Sequence, residues 1–161
     1  MTEQTAPASW PVADFDPVRR LAVLAATVPG AALHQAVVDA PFDRVWAVAA
    51  DLEGALPHWL PDIRTVRPSA DGTEALVVGH SRLRARFDIE LRPGWCLMQS
   101  RFVLGGMAAH PEDDGTTRFA FLGAFRFPAI GLLATVLRPA TAPLGERSLR
   151  RFEALVREAH G

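Results

Sequence analysis

Few side chains in this sequence are suited to chemistry in an apolar setting. His80, between Gly79 and Ser81, and His110, closing the stretch MAAH, are the imidazoles whose strand-end positions could bring them to the mouth of a cavity. There an inward titratable group could act as a general acid or base. An exposed or locally bonded imidazole is the simpler reading of each. Arg101 has the outward phase of Gln99; only a bulged strand would turn it inward to clamp an acidic head group. The absence of tyrosine removes the phenol that could donate to a carbonyl. Ser81, Ser100 and Ser148 lack the G-x-S-x-G context of a nucleophile elbow. The five histidines, at 34, 58, 80, 110 and 160, show no metal-ligand spacing, so neither a metal nor a cofactor is expected. Catalytic residues are therefore left unassigned, with His80, His110 and Arg101 as candidates.

Composition narrows the function classes. At 161 residues, the chain fits one domain able to bury roughly 70% of its unfolded surface. Seventeen basic residues, all arginine, face 18 acidic ones for a net charge of -1, so no basic stripe invites nucleic acid. The single Cys96 cannot form an intramolecular disulfide, and a reducing, cytoplasmic compartment is expected. Arg19-Arg20 before LAVLAATV superficially resembles a twin-arginine export signal. Asp14, Asp16 and the shortness of the apolar run oppose that reading. No run reaches the ~18 to 20 apolar residues that span a bilayer, so stable membrane insertion is not expected.

Residues 1–13 read as a loose arm. Asp16 is placed to cap a helix that begins at Pro17, carries Val18, Leu21, Leu24, Ala25 and Val28 on one stripe, and stops at Pro29-Gly30. AALHQAVVD, 31–39, reads as a strand ended by Pro41. Phe42, Val45, Trp46 and Ala49 then fall at helical spacing, and a short helix or turn surrounds Leu56 and Trp59. From Ile63 the period becomes two, punctuated by Asp71-Gly72, Pro93-Gly94 and Asp113-Asp114-Gly115, as a meander of antiparallel strands requires. RLRARFDIELR, 82–92, alternates apolar and charged residues strictly. TTRFAFLGAFRF aligns Phe119, Phe121, Phe125 and Phe127, with a bend or bulge expected at Gly123. AIGLLATVL, 129–137, is apolar all round; Pro139 and Pro143 should interrupt it before a second helical segment, with Leu149, Phe152, Val156 and Ala159 as its core stripe. Glu146 with Arg150 and Glu153 with Arg157 are spaced as i,i+4 pairs.

The segment VDAPFDRVWAVAADLEGALPHWLPDIRTV, 38–66, carries a family resemblance in its strand ending at Ala40-Pro41, its Val45-Trp46 pair, Asp51, and Trp59 followed by Pro61. With the meander, DDGTTRFAF and the terminal helix, the chain over residues 31 to 159 resembles the START-like or Bet v 1-like superfamily, also labelled SRPBCC or polyketide cyclase/dehydrase. The resemblance implies an α+β helix-grip fold, in which a curved antiparallel sheet of about seven strands wraps a long C-terminal helix after two short helices. The N-terminal helix is an addition to that plan. Residues 1–30 are then an arm and helix, and 31–161 the helix-grip domain.

The resemblance further implies an apolar cavity between sheet and C-terminal helix, open at one end. Phase supplies its lining: Leu83, Ala85, Phe87 and Ile89 from one strand; Met98, Ser100 and Phe102, then Met107, from the next two. Phe119, Phe121 and Phe125 follow, with Leu132, Leu133 and Val136 from the helix. The expected function is binding, transport or sequestration of a small hydrophobic ligand such as a lipid, quinone or polyketide-like molecule. A polyketide cyclase or aromatase acting in the same cavity is the alternative, and a protein- or membrane-interaction module, such as a homodimer hiding an apolar patch, is the third.

Overall fold

The computed structural model describes residues 15–126 and 130–159, with side chains of the last segment from Pro143 onward. The expected N-terminal arm, Phe127, and the side chains of Leu132, Leu133 and Val136 lie outside the described residues. The elements in chain order are α1 (Pro17–Thr27), β1 (Ala32–Val38), α2 (Phe42–Ala50), α3 (Leu56–Trp59), β2 (Ile63–Pro68) and β3 (Glu74–Gly79). They continue as β4 (Arg84–Arg92), β5 (Trp95–Gln99), β6 (Val103–Pro111), β7 (Thr117–Phe125) and α4 (Ile130–Glu158). The strands form one antiparallel sheet in the order β1-β7-β6-β5-β4-β3-β2, curled into a half-barrel. This is the helix-grip arrangement.

Period-two alternation sends the two sets of strand side chains to separate cores. On the concave side, Phe87, Met98, Met107, Phe119 and Phe121 join Trp59, Leu149, Phe152 and Val156. On the convex side, Trp95, Leu104, Ala108, Ala120, Leu122 and Ala124 join Val18 and Leu21 of α1. The added helix is thus seated on the back of the sheet. Asp16 caps it by accepting the Arg19 N–H at 2.8 Å, and burying Val18 and Leu21 contributes roughly 1.5–3 kcal/mol each. Small residues set how close it sits: a Cβ on Gly106 would come within 2.8 Å of Leu21 Cδ1.

The turn signals mark real turns, since Gly72, Gly94 and Gly115 all adopt positive φ. Five local expectations fail. Strand β4 starts at Arg84, because Arg82 takes φ 64° and the Gly79 N–H donates to the Leu83 carbonyl at 2.9 Å, closing a turn that keeps 82–83 out of the ladder. Gly123 produces no bulge, being paired in register with Ala32 and Gly105; the irregularity lies at Ile63/Thr65 in β2. Helix α4 passes Pro139 and Pro143 unbroken, each proline removing a donor without ending the rest of the ladder. Ala159 is exposed past the helix end, and neither i,i+4 pair closes to ion-pair distance, as befits flexible side chains on a wet face.

Thr117 ties the start of β7 to the β1–α2 connection. Its fully buried Oγ1 donates to the Ala40 carbonyl at 2.8 Å, across 77 residues of sequence. Thr117→Val keeps the shape and orphans that carbonyl, so urea unfolding should show a loss of about 1–3 kcal/mol. Unchanged stability would mean the bond is not a tether.

Candidate functional site

The concave face carries a tightly packed aromatic cluster and, further along β6 and β7, a stretch of glycine. In the cluster, Trp59 from α3 meets Phe119, Phe121 and Phe152 edge-on at 6.0, 5.4 and 5.2 Å, while Phe119 and Phe152 stack at 4.0 Å. Trp59, Phe119 and Phe152 are fully buried, so the expected lining residue Phe119 is packed core. Trp59 Nε1 is buried without a hydrogen-bond partner among the described residues. Cys96 shares this core, and burial pushes its thiol up to about 12, leaving it an inert apolar filler.

The glycine stretch centres on two residues paired across β6 and β7, Gly105 and Gly123. Gly123 has the same phase as Phe119 and Phe121 and is exposed; a Cβ added there would meet no described atom within 4 Å. At Gly105 the nearest neighbour would be Met98 Cβ at 3.9 Å. The two central strands therefore contribute no side chain to this stretch of floor, with Met98 and Phe121 beside it among the described residues.

His34 adjoins this floor. It lies in β1 directly opposite Phe121, their rings stacked at 5.1 Å, and shares the inward phase of Ala36 and Val38. From above, α4 presses on it through Gly145: a Cβ at that position would overlap the imidazole. Burial lowers the His34 pKa, only partly opposed by the Glu146 carboxylate, so the ring is neutral at pH 7. Neither ring nitrogen has a hydrogen-bond partner among the described residues. A neutral imidazole offers one donor and one acceptor to whatever occupies the floor.

The three catalytic candidates lie elsewhere. His80 is exposed in the β3–β4 turn, its backbone N–H donating to the Asp62 carbonyl at 3.1 Å. His110 has the convex phase and lines a groove of about 350 Å³ with Asp16, Arg20, Arg92 and Trp95 on the opposite side of the sheet. Arg101 is exposed in the β5–β6 loop with its guanidinium 5.0 Å over the Phe102 ring. Of the expected lining, Phe87, Met98, Met107 and Phe121 are buried on the concave side, with Ala85 and Ile89 packed at its margin. Ser100 is spent on its own loop, accepting from the Val103 N–H at 3.0 Å. Leu83, Phe102 and Phe125 are exposed at one end of the sheet. Sequence reasoning missed His34; its signal was phase, since His34 alternates with Ala36 and Val38.

No described group of His, Cys, Asp or Glu side chains could hold a metal ion. A curled sheet gripping a helix, with an apolar floor between them, defines a helix-grip protein. The chain belongs to the polyketide cyclase / dehydrase and lipid transport family, whose model matches residues 32–157. No curated protein matches the sequence significantly. Among solved structures, it is similar to a protein of Thermus thermophilus, with 20% identity, a TM-score of 0.62, and coverage of 81% of this chain and 99% of that one. It is also similar to the Zhui aromatase/cyclase of Streptomyces sp. R1128, at 16% identity and TM-score 0.60, covering 81% and 95%. A START superfamily protein of Mycobacterium smegmatis matches at 14% identity and TM-score 0.58, covering 80% and 98%. At these identities the likeness is one of fold.

Two measurements check the His34 contact. Gly145→Ala should destabilise by about 1–3 kcal/mol through overpacking, exceeding the ~1 kcal/mol that alanine adds in helix propensity; a more stable variant would refute the close approach. Because the folded-state pKa is lowered, the unfolded chain binds the His34 proton more readily. The associated stability is complete above 6.5, the ordinary value, and is lost as pH falls below it. Wild type should lose more stability on acidification through this range than His34→Phe, and equal losses would show that His34 is not shifted.

Proposed function

We propose that this protein binds a small hydrophobic molecule, such as a lipid, a quinone or a polyketide-like compound, between the concave sheet face and α4, for transport or sequestration. The observation that carries the reading is the Gly105–Gly123 floor, where β6 and β7 contribute no side chains, beside the half-buried His34 imidazole. Apolar walls supply affinity in proportion to buried area, and one polar contact from His34 orients a carbonyl or hydroxyl. Membership of a family described by polyketide chemistry and lipid transport supports the same class of ligand.

His34 also favours a second reading. A neutral imidazole in an apolar site can take the proton between two carbonyls of a poly-ketone chain and return it to the oxygen formed on ring closure, so cyclase chemistry fits the same floor. Carrier and cyclase differ in what His34 does. In a carrier, His34→Gln would lower affinity modestly; in a cyclase, it would abolish turnover while binding persists.

Native mass spectrometry of fresh protein, followed by denaturing extraction, should release an apolar passenger. Gly123→Phe, which fills the floor, should lower its occupancy more than tenfold, since the added ring takes the ligand's volume. If the wild type carries no passenger and binds hydrophobic probes no better than Gly123→Phe, the container reading is wrong.

A further inference from the structure

The turns at the two ends of the sheet differ in charge and polarity. One end of the sheet comprises the β3–β4 turn, the β5–β6 loop and the end of β7; the last two adjoin, since the Arg126 N–H donates to the Phe102 carbonyl at 2.7 Å and Val103 pairs with Phe125. It exposes three large apolar side chains: Leu83 at 76%, Phe125 at 57% and Phe102 at 43%. The same end carries Arg82, Arg84, Arg101 and Arg126, none of which forms an ion pair with a described residue; the acids toward this end are Asp62 and Asp88, the latter opposite Gln99, which accepts from Arg126 at 3.3 Å. The left-handed Arg82 closes the turn that holds Leu83 outward.

The other end is acidic. Asp71 lies in the β2–β3 turn, Glu112, Asp113 and Asp114 in the β6–β7 turn, and Asp39 after β1. Two of its arginines are already engaged, Arg92 by Glu90, and Arg118 by Glu112 and Asp16. Hydrogen bonds from Ser69 and Thr73 hold Asp71 down to about 2, and those from Thr116 lower Asp114, so this end keeps its negative charge well into acid. A net charge of -1 thus conceals a molecule that is basic at one end and acidic at the other.

We infer that the basic, apolar end is a docking surface for an anionic phospholipid bilayer. Guanidinium groups with no ion-pair partner among the described residues, set around protruding leucine and phenylalanine side chains, match an interface that presents phosphate and carboxylate above hydrocarbon. The acidic end, repelled by the same surface, fixes the orientation of approach. No helix among the described residues is long and apolar enough to cross a membrane, so the contact is peripheral. Docking rests on surface chemistry alone. Exchange of an apolar molecule through this end rests in addition on the container reading.

The test uses the full chain in sedimentation with vesicles of phosphatidylcholine alone and of a phosphatidylcholine–phosphatidylserine mixture. Partitioning onto the anionic vesicles should exceed that onto neutral ones by about tenfold or more and should fall as salt is added. Reversing two charges in an R82E/R84E double variant should lower anionic binding by more than about tenfold, at roughly fivefold per arginine. Leu83→Asp should lower binding without moving the unfolding midpoint, since Leu83 is exposed. Equal binding to both vesicle types, insensitivity to R82E/R84E, or preferential capture of RNA over anionic vesicles would each overturn the inference. The acidic-end variant Asp113→Asn serves as control and should bind as wild type does; a loss matching that of R82E/R84E would also overturn it. The container reading is tested separately, so a protein that binds anionic vesicles yet carries no passenger and binds hydrophobic probes no better than Gly123→Phe would sink that reading and leave the docking intact.

Discussion

The two-sided burial of β6 and β7 is the constraint on which the rest of this structure depends. A strand in the middle of a sheet satisfies its backbone from both neighbours, but each face still needs an apolar cover. On β7, Phe119 and Phe121 turn toward α3 and α4, while Ala120, Leu122 and Ala124 turn toward α1. Large residues on the concave side and small ones on the convex side make the two covers unequal in distance. Helix α1 can settle closely because Gly106, Ala108 and Ala120 leave it room. In its described part, α4 instead rests on aromatic rings such as Phe119, and Gly145 brings its backbone close to His34.

That difference places the candidate site. Where aromatic side chains are abundant, Trp59, Phe119 and Phe152 pack to the density of an ordinary core, and no ligand could enter without displacing them. Where β6 and β7 both carry glycine, the same sheet has nothing to offer the space above it. The floor arises from the coincidence of two glycines in register, and His34 from a third strand brings the polarity. The cost of a partly buried imidazole is limited by keeping it neutral, which its apolar surroundings and the close helix backbone accomplish together.

Surface electrostatics follows from topology as well. Antiparallel strands return every second connection to the same end, so residues far apart in sequence, such as Arg82, Arg101 and Arg126, lie at one end of the sheet. Exposed ion pairs contribute little to stability, and the pairs found here, such as Arg86 with Glu74 at 3.6 Å, do not hold the fold together. Their segregation shapes the molecule's field more than its stability.

Period and punctuation made much of this architecture legible. Helical spacing placed α1 and α2, the alternation of RARFDIELR placed β4, and Asp-Gly and Pro-Gly signals placed the turns, because these depend on local backbone preference and on which face is wet. The family resemblance of residues 38–66 supplied the helix-grip plan. Local patterns failed where a distant contact decided the outcome. Leu83 continued an apolar alternation and yet fell in a turn, since pairing with β3 ended one residue after it. His110 and His34 were indistinguishable as residue types; only strand register showed that one faces the convex groove and the other Phe121 and α4. Gly123 read as a bend because its pairing with Gly105 spans a hairpin and cannot be inferred from either strand alone. The sequence by itself determined the elements and the class of fold, through short-range sterics and hydrophobic period. Tertiary structure alone decided where the floor, the imidazole and the charged ends lie, because register and helix approach are fixed by packing between segments distant in the chain.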